Sequence, residues 1–145
     1  MLPAPKVVTA IIPISKTNGA TATGEMIDTK GYDYCVIGVV ASTADVVSNT
    51  LSVLKIEEGD TTSSVATFTG AVSGTDYTIA TNAYTSTSSQ NIWMFGVDCR
   101  ARKRYLRVSA SPQTTMVIGG VAMLHRGEAS PSTAALAGAL NAIYV

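Results

Sequence analysis

Residues 90–99 read QNIWMFGVDC. In a strand, side chains two apart share a face, so Trp93, Phe95, Val97 and Cys99 line one side. This is the largest apolar payload in the chain, and it predicts a buried strand at the centre of the core. Further on, YLRVSAS (105–111) places Leu106, Val108 and Ala110 on one face and Tyr105, Arg107 and Ser109 on the other. SPQT turns the chain, and TMVIGGVAML (115–124) reads as the last long strand. Gly119 and Gly120 in its middle predict a bulge or a close approach of another backbone.

The same pattern extends towards the start. VVTAIIPI (7–14), EMIDT (25–29), YCVIGVVAST (34–43), TLSVLKIEE (50–58), VATF (65–68) and YTIAT (77–81) read as strands. Between them lie turn clusters: TNGATATG, KGYD, EGDTTSS, SGTDY and the polar residues 86–89. Strands this short, with turns this frequent, predict an all-β fold. The expected architecture is a two-sheet antiparallel sandwich of jelly-roll type with about eight strands. Residues 1–14 form an N-terminal arm or first strand, 15–129 the sandwich, and 130–145 a C-terminal tail. In that tail Leu136, Leu140 and Ile143 have helical spacing and Ser132 or Thr133 is placed to cap a short helix, although Gly138 weakens it.

Composition bears on association. The chain has 145 residues, enough to bury a core without disulfides or metals. Charged residues make up 14%, against about a quarter in ordinary soluble domains. Ten basic and ten acidic side chains cancel, so no net charge holds copies apart. An oligomer, or a part of a larger assembly, is expected. The first apolar run carries Thr9 and Pro13 and is short for a signal-peptide core, so secretion is not expected. No run approaches the length of a membrane helix.

The chemistry-bearing residues are few. Cys35 and Cys99 lie far apart on apolar strands and read as buried thiols. With one histidine, His125, a structural zinc site cannot be assembled. No nucleophile–base pair, phosphate loop or dinucleotide fingerprint occurs, so no catalytic residue, metal or cofactor is assigned. Glu57, Glu58 and Asp60 form an acidic group on a predicted loop, without the spacing of a calcium loop. The strongest charge feature is CRARKRYLRV (99–108), which holds five of the ten basic residues. Alternation fails across it, so it reads as an exposed hairpin turn between GVDC and YLRV. Arg107 is expected to pair with a carboxylate such as Asp98 across that hairpin. The other basics, Lys6, Lys16, Lys30, Lys55 and Arg126, are scattered, which argues against a nucleic-acid surface. The turn is then either solvated or a docking point for acidic protein groups.

GYDYCVIGVV, TLSVLKIEEGD, VDCRARKRYLRV and VIGGVAMLHRGEASP, in that order, resemble the small auxiliary head proteins of tailed bacteriophages, known as decoration, cement or head-stabilising proteins. The likeness spans about Ile27 to Pro131. It implies a β-sandwich that binds the outside of an assembled head and braces the capsid lattice, commonly as a trimer. The implied partner is the major capsid protein, and the implied location is the virion exterior after synthesis in the bacterial cytoplasm. No nucleic acid, membrane or small-molecule substrate is implied. The family supplies no set of site residues. From the chain itself, the candidate capsid or subunit contacts are Val7, Val8, Ile11 and Ile12, whose strand can extend a neighbour's sheet, and Arg100, Arg102, Lys103 and Arg104. Two alternatives stay open: a carbohydrate-binding sandwich using exposed Trp93 or Tyr32, Tyr34, Tyr77, Tyr84 and Tyr105, and a head-completion or neck protein whose basic turn meets DNA.

Overall fold

A computed structural model describes residues 5–42, 51–67 and 92–125. Among the described residues lie nine strands: β1 (Lys6–Lys16), β2 (Ala22–Thr23), β3 (Ile27–Asp28), β4 (Tyr34–Ala41), β5 (Leu51–Thr61), β6 (Ser64–Thr67), β7 (Ile92–Asp98), β8 (Tyr105–Pro112) and β9 (Met116–His125). One sheet has the order β1-β9-β4-β7. The other runs β2-β8-β5-β6, with β3 continuing beside β8 after β2. Every pairing is antiparallel. Successive strands switch sheets except at β2–β3 and β5–β6, which is the jelly-roll path. The expected YTIAT strand, the SGTDY turn, residues 86–89 and the tail from 130 onward lie outside the described residues.

The core lies between the sheets. β4 turns Cys35, Ile37, Val39 and Ala41 inward, and β7 turns Trp93 and Val97 inward, as their alternation requires. Opposite them, Leu54 and Ile56 of β5 meet Leu106, Val108 and Ala110 of β8. Cys35 and Cys99 are free and buried, and burial pushes their thiols up to about 12 and about 11. Pro13 sits where β1 departs from regular register with β9, in an edge position that needs no donor. Gly120 meets the expectation of close approach: a Cβ there would stand 2.9 Å from the Gly38 carbonyl oxygen.

One seam joins the sheets along an edge. Between β2 and β3, Gly24 N–H donates to the Val108 carbonyl at 2.7 Å, and Glu25 N–H donates to the Ala10 carbonyl of β1 at 2.8 Å. The chain at Gly24 is thus held against both sheets. A Cβ on Gly24 would run into the Ala10 carbonyl oxygen and stand 2.5 Å from that of Val108. Only glycine fits there.

Three expectations are corrected. TNGATATG is not wholly a turn, because Ala22 and Thr23 pair with Ala110 and Ser109. EGDTTSS is not a loop from its start. β5 continues to Thr61, and only Thr62 and Ser63 turn before β6. The strand persists because Gly59 leaves room for the Ser64 backbone. The basic stretch is not a hairpin tip. β7 pairs with β4 and β8 with β5, so Cys99–Ala101, a single 3-10 turn, begins a crossing between sheets.

Candidate docking surfaces

The five cations of the basic stretch each meet a carboxylate of this chain. Arg100 bonds Asp98 at 2.6 Å, and Arg102 reaches Glu58 at 3.5 Å. Lys103 Nζ lies 3.0 Å from Asp60, and Arg104 lies 2.7 Å from Asp28. Arg107 Nε donates to Glu57 at 2.8 Å. The expected Arg107–Asp98 pair is therefore absent: Asp98 serves Arg100, while Glu57 stands directly opposite Arg107 in the β5–β8 register. The acidic group read as a solvated loop supplies three of the five partners.

These pairs differ in setting. Those of Arg100, Lys103 and Arg104 are exposed, and isolated pairs of that kind contribute little. Glu58 is half-buried at the end of the core, and its second oxygen accepts from the Lys103 backbone N–H at 3.1 Å. Glu57 is buried, with 7% exposure. Its carboxylate accepts from Arg107 and from Ser109 Oγ at 3.1 Å, and Lys55 Nζ stands 3.4 Å away. Tyr34 and Tyr105 are bound into the same belt. Arg100 donates to the Tyr34 hydroxyl at 2.9 Å, and the Arg104 guanidinium lies 4.9 Å from the Tyr105 ring centre.

The belt makes stability acid-sensitive. Burial works to raise the Glu57 carboxyl, but hydrogen bonds from Arg107 and Ser109 outweigh it and hold the group below its ordinary 4.5. The Arg104 hydrogen bond holds Asp28 below 3.8, and that of Arg100 holds Asp98 at about 2. Folded values depressed in this way stabilise the protein above the unfolded values and cease to do so as pH falls through the folded ones. Calorimetry across pH should find Tm flat down to about 5 and falling between about 4.5 and 2. Glu57→Gln should blunt that fall. A Tm unchanged down to pH 2.5 would remove the belt from the stability of the fold.

The strand residues proposed as contacts divide by face. Ile11 belongs to the chain's own core at 1% exposure, and Val8 packs half-buried against that core. β1 pairs with β9 along one edge and is the edge strand of its sheet. Val7 is half-buried and Ile12 is 58% exposed. The outer edge of β1 is also used in part, since Ala10 accepts from Glu25.

A larger surface was not foreseen. All seven exposed large hydrophobics among the described residues lie on the β1-β9-β4-β7 sheet: Ile12, Ile14, Val40, Ile92, Met94, Val117 and Val121. Register brings most of them together on its outer face. Val36 stands between Met123 and Gly96, Gly38 between Val121 and Met94, and Val40 between Gly119 and Ile92. The three glycines step diagonally across neighbouring strands. Two of them, Gly38 and Gly119, with Gly120, line a depression of about 350 Å³ whose other walls are Thr9, Ile11, Pro13, Val39, Val40, Ile92 and Val121. No charged residue lines it. The signal was present in YCVIGVVA, whose apolar residues occupy both parities, and a run apolar on both sides needs cover on both sides.

The remaining candidates are placed as follows. Trp93 is 6% exposed and Tyr32 packs against the core, while Tyr77 and Tyr84 lie outside the described residues. His125 ends β9 half-buried, opposite Tyr34. Among the described residues no cluster of three His, Cys, Asp or Glu side chains could hold a metal, and no helix is long and apolar enough to cross a membrane. No protein-family model matches the chain, and no curated protein matches it.

Proposed function

We propose that this chain is a structural virion protein that binds the outside of a tailed-phage head and stabilises the capsid lattice as a homo-oligomer. The observation that carries the reading is the exposed apolar group Val40, Ile92, Met94 and Val121 on the outer face of the β1-β9-β4-β7 sheet. An exposed apolar sheet face of this extent is an association surface. It complements the charge-poor composition and the sequence resemblance between Ile27 and Pro131. The face joins neighbouring copies, and the joined copies bind the major capsid protein.

The ion-pair belt weighs against a DNA-contacting neck role, because each cation of the basic stretch is matched within the chain. The burial of Trp93 weighs against a sugar platform. The test is co-sedimentation with heads assembled from the major capsid protein encoded in the same genome. Binding should saturate at a fixed ratio, persist in 1 M salt as a roughly screened system requires, and drop at least about tenfold in Val40→Glu, about 1.4 kcal/mol or more. Failure to sediment, or release by moderate salt, would refute the proposal.

A further inference from the structure

We infer that residues 100–103 form an acid-released strap over the end of the core, and that Glu58 is its catch. This device holds whether or not the chain binds a capsid.

The two ends of the crossing between β7 and β8 are pinned by neutral hydrogen bonds. Cys99 N–H donates to the Asp33 carbonyl at 2.7 Å. At the other end, the Arg104 carbonyl accepts from Thr29 N–H at 3.0 Å and from Thr29 Oγ1 at 2.7 Å. Between these points the ties run to carboxylates. Arg100 N–H donates to Asp98 at 3.1 Å, and Lys103 N–H donates to Glu58 Oε2 at 3.1 Å. The side chains of Arg100, Arg102 and Lys103 reach Asp98, Glu58 and Asp60. The Arg100 and Lys103 pairs are exposed and hold the segment weakly. Glu58 differs from the other acids. Each of its oxygens holds one of two consecutive residues, and its side chain and that of Arg102 are both only 15% exposed.

The setting of Glu58 makes the catch sensitive to acid. It shares the inward parity of Leu54 and Ile56 on β5. β8 and β6 place the apolar Leu106 and Ala66 opposite it, while the crossing brings Arg102 and Lys103. Asp60, two residues further along β5, holds the Lys103 ammonium at 3.0 Å. A proton taken up by Glu58 removes the charge from both of its bonds, and charge-assisted hydrogen bonds are about twice as strong as neutral ones. The Arg102 guanidinium then faces a neutral acid in a half-buried place, which favours its move into water. The strap swings out while its pinned ends and both sheets stay in place. A local opening of this kind needs less free energy than unfolding. It uncoils the 3-10 turn that starts at Cys99, whose thiol is buried while the strap is closed.

That thiol is a built-in reporter. The test labels the unaltered chain with a pyridyl disulfide, which reacts with thiols in acid, and uses glutathione as the reference for the reagent's own pH dependence. Peptide mass mapping separates Cys99 from Cys35, which lies fully buried on β4. From about pH 7 to about pH 4, where carboxylates take up protons, labelling of Cys99 relative to glutathione should rise at least about tenfold. Cys35 should stay protected, and the emission of the buried Trp93 should not change. Glu58→Gln should label Cys99 at the acid rate already at neutral pH. Glu57→Gln, on the outward face of the same strand, should label like the parent protein. A Cys99 rate that stays flat against glutathione overturns the inference. So does a rise that comes only together with Cys35 labelling and a change in Trp93 emission, since the whole sandwich is then opening. A folded Glu58→Gln protein that stays closed at neutral pH overturns it as well. Should Glu58→Gln not fold, the pH series on the unaltered chain decides.

Discussion

Glu57→Ala should lower stability by about 3 kcal/mol, which for a chain of this length is a fall in Tm of about 10 °C. The alanine leaves the Arg107 guanidinium, whose side chain is 25% exposed, beside an empty site and leaves Ser109 Oγ without its acceptor. Loss of a partner from a buried pair is costly because the remaining charge is still desolvated. The repair follows from the same reasoning. Glu57→Leu combined with Arg107→Met removes both charges and keeps volume, and it should recover most of the loss. Glu57→Gln should fall between, since it keeps a hydrogen bond but not the charge. Chemical denaturation of the three variants beside the parent protein measures this directly. Equal stability of Glu57→Ala and the parent protein would mean that water replaces the carboxylate at no cost.

Gly24→Ala should cost at least about 3 kcal/mol for the addition of one methyl group. The methyl meets two backbone carbonyls, those of Ala10 and Val108, and neither can swing aside as a side chain would. Moving the chain outward breaks the Gly24–Val108 and Glu25–Ala10 hydrogen bonds and opens the seam between sheets. Gly38→Ala is the control. Its methyl points into open space, and its effect should be within about 1 kcal/mol, with the lower chain entropy of the unfolded state in its favour. Two glycine substitutions in one sandwich should thus differ by several degrees in Tm. Similar melting curves for both would show that the seam relaxes without penalty.

The parts of this fold that could be read from sequence are those whose cause is local. Alternation in IWMFGVD and YLRVSAS fixes which side chains of β7 and β8 turn inward, and the paired glycines of β9 announce the close approach of β4. The connection between β7 and β8 was misread because nearness in sequence suggests a hairpin, whereas a jelly roll sends successive strands to opposite sheets. The belt was hidden for the same reason. Asp28 and Arg104 are 76 residues apart, and Glu57 and Arg107 are 50 apart. No spacing rule joins such partners; only the β3–β8 and β5–β8 registers do. The apolar outer face was half visible. YCVIGVVA reads as a strand, and its apolar residues fall on both parities; one parity enters the core and Val40 on the other is exposed.

The belt also decides how this protein meets anything else. Each cation of the crossing segment is answered by an anion within about a bond's reach, so the pairs behave as short dipoles whose fields die away quickly. A partner approaching from a few nanometres senses almost nothing of the belt. Encounters are then unguided, and association should proceed at about 10⁵–10⁶ per molar per second, with little response to ionic strength. On the proposed function, tight holding would come from slow departure, through apolar contact and repeated attachment of joined copies.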